Sequence, residues 1–96
     1  MNDLAIEIIR KYIVDLENRA YLWQKPSFKQ NSYAKWAANE LLECIRNRPT
    51  TSVIVTIEDF IRRMDRYSCM NLKNSYMFSV AHDTAEDILD IFLSKH

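Results

Sequence analysis

Ile6, Ile9, Ile13, Leu16, Ala20 and Trp23 recur at alternating steps of three and four, the spacing that collects side chains on one face of an α-helix. This pattern predicts a first helix from about Asp3 to Trp23. Asp3 is placed to cap it, and Glu7 with Lys11 and Asp15 with Arg19 are expected to form i,i+4 pairs on its outer side. Pro26 then interrupts the periodicity, and Ser27, Gln30, Asn31 and Ser32 read as a polar connection that ends in a cap. A second helix is expected from about Tyr33 to Asn47, with Ala34, Ala37 or Ala38, Leu41 and Ile45 inward. Its alanines leave room for a neighbouring helix to come close.

Pro49 disfavours helical geometry at Arg48, and Thr50, Thr51 and Ser52 offer new caps. Val53, Ile57, Phe60, Met64 and Tyr67 then step four, three, four, three and define a third helix. Glu58 and Asp59 precede Arg62, Arg63 and Arg66 along it, an order that complements the helix dipole. The β-branched run at 52–56 also suits a strand, but a single short strand has no evident partner. After Asn71, Lys73 and Asn74, a fourth helix carries Phe78, Ala81, Ala85, Ile88 and Phe92 on one stripe. The expected fold is all-α, an antiparallel four-helix bundle formed by one domain over residues 1–96, with the first and fourth helices contributing the largest aliphatic faces.

Composition narrows the function more than the fold. The 96 residues include no glycine, and phosphate-cradling loops, dinucleotide fingerprints and nucleophile elbows normally need one for positive φ or close backbone approach. Thirteen basic and thirteen acidic side chains cancel, so no global field draws the chain to nucleic acid or to an anionic membrane. No apolar stretch is long enough to span a bilayer, and acids interrupt the N-terminal segment where a signal would be apolar. The expectation is a cytoplasmic protein. Cys44 and Cys69 stand apart without metal-ligand spacing and are expected to be packed thiols.

Charge is nevertheless unevenly distributed along the chain. From Arg19 to Asn39 there are Lys25, Lys29 and Lys35 but no acid, interleaved with Tyr21, Trp23, Phe28, Tyr33 and Trp36. Cations beside stacking side chains suit a single-stranded nucleic acid or an acidic protein surface, and equally suit internal packing. The fourth helix has the opposite sign: Asp83, Glu86, Asp87 and Asp90 fall at i, i+3, i+4 and i+7. Like charges at this spacing repel unless something positive lies near them.

A divalent cation is one such counter-charge. Glu40 and Glu43 form a second acidic pair that faces Asp87 and Asp90 if the helices meet. The two pairs resemble those of the all-α nucleotide pyrophosphohydrolases of the MazG type, and that resemblance implies magnesium held by Glu40, Glu43, Asp87 and Asp90. This chain departs from that pattern in two ways: a whole predicted helix separates the pairs, and the second begins with aspartate. His82 has only His96 as a fellow histidine, so a histidine-rich metal phosphohydrolase is not expected, and no serine stands in a triad context. Arg46, Arg48, Arg62, Arg63 and Arg66 form a second basic area. A helix-turn-helix would use the third helix for recognition, yet that helix starts with acids.

Trp36-Ala37-Ala38-Asn39-Glu40-Leu41-Leu42, Ile57-Glu58-Asp59-Phe60 with Met64-Asp65-Arg66-Tyr67, and Phe78-Ser79-Val80-Ala81-His82-Asp83-Thr84-Ala85-Glu86-Asp87-Ile88 resemble small helical proteins encoded by anaerobic Gram-positive bacteria and their mobile elements. The resemblance implies a bacterial cytoplasmic helical domain and no established activity. The leading expectation is a non-enzymatic interaction protein without cofactor, binding another protein through Lys25, Phe28, Lys29, Tyr33, Lys35 and Trp36 or through Asp83, Glu86, Asp87 and Asp90. A homodimer pairing the two surfaces is compatible with this separation of charge. A magnesium-dependent nucleotide hydrolase and a nucleic-acid binder are the alternatives, and no membrane partner is expected.

Overall fold

Pro26 begins a helix rather than interrupting one. A computed structural model describes residues 2–20, 25–70 and 73–95, with no side chain described at 19, 20 and 25–28. Helix α1 spans Asp3–Ala20, α2 Lys25–Arg46, α3 Val53–Met70 and α4 Ser75–Lys95. The stretch 26–32, expected as a connection, is therefore the first part of α2. A proline in the first turn forfeits no helical hydrogen bond, because N–H groups there have no intrahelical acceptor, and its fixed φ already suits the helix. The expected end of the first helix at Trp23 lies outside the described residues.

The helix ends show how the remaining boundaries arise. The Ile6 N–H bonds the Asn2 carbonyl at 3.0 Å, so Asn2 holds the capping position one residue before the expected Asp3. Asp3 instead lies in the first turn, where the dipole favours a carboxylate. The Thr51 N–H bonds the Arg48 carbonyl at 3.1 Å across Pro49, a β-turn with proline at its second position. Residues 53–56 are helical, not extended: the Ser52 carbonyl accepts both the Thr56 N–H at 3.0 Å and the Thr56 hydroxyl at 3.1 Å. The second bond satisfies the hydroxyl of a residue that is 1% exposed.

The four helices form an all-α antiparallel bundle. Tyr12 of α1 reaches Asp87 of α4, Leu16 packs with Ala34 and Val80, and Tyr67 of α3 meets Phe78 of α4. Successive helices therefore run up and down, while α2 and α4 run in the same direction and occupy one diagonal. That diagonal is the short one: α2 and α4 pack extensively against each other, whereas α1 and α3 hardly meet. Side-chain size accounts for the difference. Small buried residues concentrate on α2 and α4, where Ala34, Ala37, Ala38, Ala81 and Ala85 accompany Leu41, Ile45, Ile88 and Phe92, while α1 brings Ile8, Ile9 and Leu16 with Ala5, and α3 brings Ile57, Phe60 and Met64. Helix separation follows the side chains at the contact, so small residues draw α2 and α4 together and large ones hold α1 and α3 apart. The resulting body is flattened, measuring 38 × 32 × 21 Å.

This packing corrects several expectations. On α1 the buried positions are Ala5, Ile8, Ile9 and Leu16, whereas Ile6 and Ile13 pack from the side. The helix sits at an acute corner of the bundle and touches both α2 and α4, which turns its stripe between them. The fully buried large side chains come from every helix, including Leu41 and Ile45 of α2 and Ile57 and Phe60 of α3, so α1 and α4 do not dominate the core. Tyr67 is 39% exposed. Cys44 is half-buried, with its sulfur 3.3 Å from Arg63 Nη2. Cys69 is exposed rather than packed, since it lies on the solvent side of the last turn of α3. Glu7 and Lys11 are exposed without closing into an ion pair.

The acids and arginines of α3 fall outside its terminal turns, so their main effect is not on the dipole. Asp59 instead accepts from Arg48 Nη1 at 3.1 Å on one oxygen and from Arg62 Nη2 on the other. The Arg48 bond ties the α2–α3 turn to α3. Hydrogen bonds from Arg48 and then Arg62 hold the Asp59 carboxyl below its ordinary value of 3.8.

Two predictions follow from the fold. Ala38→Leu and Ala81→Leu should each destabilise the protein by about 1–3 kcal/mol through overpacking, read as a lower urea midpoint, whereas Val14→Leu at an exposed position should change it little. Because the folded-state pKa of Asp59 is lowered, the stability it contributes is complete above the unfolded-state value and is lost as pH falls through the folded one. Urea midpoints of wild type and Asp59→Asn should therefore differ near neutrality and converge in acid; a gap independent of pH would contradict the pairing.

Candidate functional site

Most of the aromatic and basic side chains that can be followed in α2 have internal partners. The side chains of Lys25 and Phe28 lie outside those described. Lys29 is exposed, with its Nζ 5.9 Å from the centre of the Tyr33 ring. Tyr33 turns its ring edge-on to Tyr76 at 5.8 Å and packs beside Leu16, Ala34 and Val80. Lys35 Nζ lies 3.6 Å from a Glu17 oxygen on α1. Trp36 meets Phe78 edge-on at 6.4 Å and rests on the main core. These contacts join α2 to α1 and α4, and of Lys29 and Lys35 it is Lys29 that is the more open to solvent.

The acidic face of α4 is arranged differently. Ala81, Thr84, Ala85 and Ile88 face the core, and the helical repeat then places Asp83, Glu86, Asp87 and Asp90 outside, all four exposed. Among the described residues, none of the four forms an ion pair with a lysine or arginine. Their partners are weaker ones. His82 Nδ1 lies 3.1 Å from Asp83 Oδ1 and 3.3 Å from Glu86 Oε1, and the Tyr12 hydroxyl donates to Asp87 Oδ2 at 3.3 Å. Asp83 and Asp87, one turn apart, border a crevice between α1, α2 and α4.

This crevice has a volume of about 140 Å³. Leu16, Ala34 and Val80 give it an apolar side, while Tyr12, Gln30 and Asn31 join the two aspartates at its polar side. Asn31 is half-buried beside it, and its amide nitrogen Nδ2 is buried with no hydrogen-bond partner among the described residues. Sequence reasoning missed Tyr12 and Asn31 as site residues. Asn31 was placed in a connection because of Pro26; once α2 begins at Lys25, the i,i+3 step from Asn31 to Ala34 puts both on the face turned toward α1 and α4. Tyr12 is separated from Leu16 by one turn of α1, and that spacing is the signal that would have located it.

The four acids of the metal-site alternative are not brought together. Glu43 pairs with Arg46 at 3.3 Å, Glu40 is exposed on α2, and Leu41 and Ile45 fill the side of that helix facing the core. Among the described residues, the one gathering of three or more His, Cys, Asp or Glu ligand atoms within 4.8 Å is His82, Asp83 and Glu86. It lies on one helix, with His82 half-buried and the two acids exposed, and includes none of Glu40, Glu43, Asp87 or Asp90. The arginine cluster is also engaged internally: Arg48 and Arg62 bind Asp59, and Arg63 lies over the Phe60 ring at 5.6 Å. The hydroxyls of Ser68 and Ser94 donate to backbone carbonyls rather than to a general base.

The separation of the acidic pairs has a direct test. Replacing Glu40 and Glu43 together by glutamine should leave the response of the melting temperature to magnesium the same as in wild type, measured by differential scanning fluorimetry. A magnesium-dependent stabilisation lost in the double variant would show that these residues do share an ion.

No helix of the described residues is long and apolar enough to cross a membrane. Searches against protein-family models, curated proteins and solved structures found no match to this chain, so the site is read from its own geometry.

Proposed function

We propose that this chain is a small non-enzymatic protein-interaction module, and that it docks a basic segment of another protein on the exposed acidic face of α4. One observation carries the reading. Asp83, Glu86, Asp87 and Asp90 are exposed along one side of the helix without a lysine or arginine counter-charge among the described residues. Like charges at i,i+4 cost a helix a few tenths of a kcal/mol, roughly 0.2–0.5 per pair, and a cationic partner reverses the sign of that term. Such a surface accelerates encounter with a basic partner and selects against acidic ones, an effect that weakens with salt.

The aromatic–basic segment supports docking less well, because Tyr33, Lys35 and Trp36 already serve the joins between helices. A cytoplasmic setting belongs to the same proposal. Bacterial origin rests on the sequence resemblance. The test is charge reversal: a partner captured by the wild-type protein should be lost with Asp87→Lys/Asp90→Lys and retained with Lys29→Glu. Retention by the α4 variant and loss with Lys29→Glu would move the docking surface to the start of α2.

A further inference from the structure

We propose that the stretch of α2 before Tyr33 is a latch, which unwinds as a unit to a second helix start at Ser32 and opens the crevice between α1, α2 and α4. The latch goes beyond the docking reading and does not depend on it. Composition, burial and charge at the start of α2 point the same way. Residues 25–32 include no alanine, leucine, methionine or glutamate; they bring a proline, two serines and an asparagine, types that suit helix ends better than helix interiors. The first turn of α2 holds no acid to complement the helix dipole. Lys29, Gln30 and Ser32 are exposed, Asn31 and Tyr33 are half-buried, and burial among the described side chains of α2 begins only at Ala34. Few buried contacts are what allow a segment to open locally.

Two neighbouring residues provide the second start. Asn31 Nδ2 is buried without a hydrogen-bond partner among the described residues while the helix is intact, and unwinding returns that amide to water. Ser32 is a capping residue type, and its exposed hydroxyl then accepts from the Ala34 or Lys35 N–H. The shortened helix keeps the edge-on contact of Tyr33 with Tyr76 at 5.8 Å and the buried residues from Ala34 to Ile45. Opening stays local because Leu16, Ala34 and Val80 form a small cluster apart from the main core. Gln30 and Asn31 line the crevice together with these residues and with Asp83 and Asp87. Their withdrawal therefore widens the recess beside the acidic face and uncovers Leu16 and Val80, which are 6% and 7% exposed in the closed form. Ordinary fraying loses residues one at a time from the helix end and does not reach those two side chains.

The experiment is NMR relaxation dispersion on the whole chain, which reads microsecond-to-millisecond exchange, at the backbone amides of 29–34 and the methyl groups of Leu16 and Val80. Both sets should exchange at one shared rate, while the amides from Ala37 to Ile45 stay flat. Asn31→Leu removes the unsatisfied amide and adds apolar surface to the crevice wall. It should suppress the exchange in both sets and slow hydrogen exchange at 29–34 several-fold, and unchanged signals from α3 would show that the variant is folded. Flat methyl profiles at Leu16 and Val80, or amide rates that differ from residue to residue, would reduce the effect to fraying and overturn the latch. Exchange unaltered by Asn31→Leu would overturn it as well, as would hydrogen exchange at 29–34 as slow as that at 37–45.

Discussion

The architecture depends on the close approach of α2 and α4. Buried alanines at 34, 37 and 38 on one helix and at 81 and 85 on the other present little side chain between the two backbones. The bulky residues of α1 and α3 then have no space on that diagonal and fill the flanks. Four similar helices with similar faces would give a square bundle; the difference in residue size selects the flattened one. The same contact fixes the rotation of α4, since turning Ala81 and Ala85 toward α2 turns Asp83, Glu86, Asp87 and Asp90 outward. The acidic surface is thus the reverse side of the helix packing and needs no loop to position it.

Electrostatics divides between pairs that hold the fold and charges left open. Arg48, Asp59 and Arg62 fasten the α2–α3 turn, and Lys35 with Glu17 links α1 to α2. These are partly exposed pairs, each a modest contribution in water, and their role is to fix which neighbour each helix meets. On α4, Asp83 and Glu86 face His82, Asp87 accepts from the Tyr12 hydroxyl, and none of the four acids forms an ion pair with a lysine or arginine among the described residues. A neutral chain therefore presents a locally negative face, and the crevice between α1, α2 and α4 adds a shaped recess to it.

The helical class and the inward positions of α2, α3 and α4 were legible because their apolar residues repeat at three and four. The same rule placed the α1 stripe slightly wrong: a periodicity gives a face, but the two neighbours that share it decide its centre, and they moved burial from Ile6 and Ile13 to Ala5 and Ile8. Pro26 was ambiguous for a local reason, as it suits both a break and a first turn. That one ambiguity removed Asn31 from view, and with it the crevice. The acidic stripe was readable from spacing alone. Which cations would neutralise it was not, since pairings such as Lys35 with Glu17 depend on distances between helices far apart in sequence. Glu40 and Glu43 do not gather with Asp87 and Asp90 for the same reason: Leu41 and Ile45 of α2 and Ala81, Ala85 and Ile88 of α4 turn inward, and the acids stay exposed.

The most direct measurement of this account is a pair of distances by pulsed electron paramagnetic resonance. Cys44 and Cys69 would first be replaced by serine, then spin labels placed at exposed positions Glu40 and Glu86 for the α2–α4 diagonal and at Lys11 and Arg62 for the α1–α3 diagonal. The account predicts a clearly shorter α2–α4 distance in wild type, lengthened when Ala38 and Ala81 are both replaced by leucine. Equal diagonals, or an α2–α4 distance indifferent to those leucines, would contradict the claim that the alanines set the shape of the bundle.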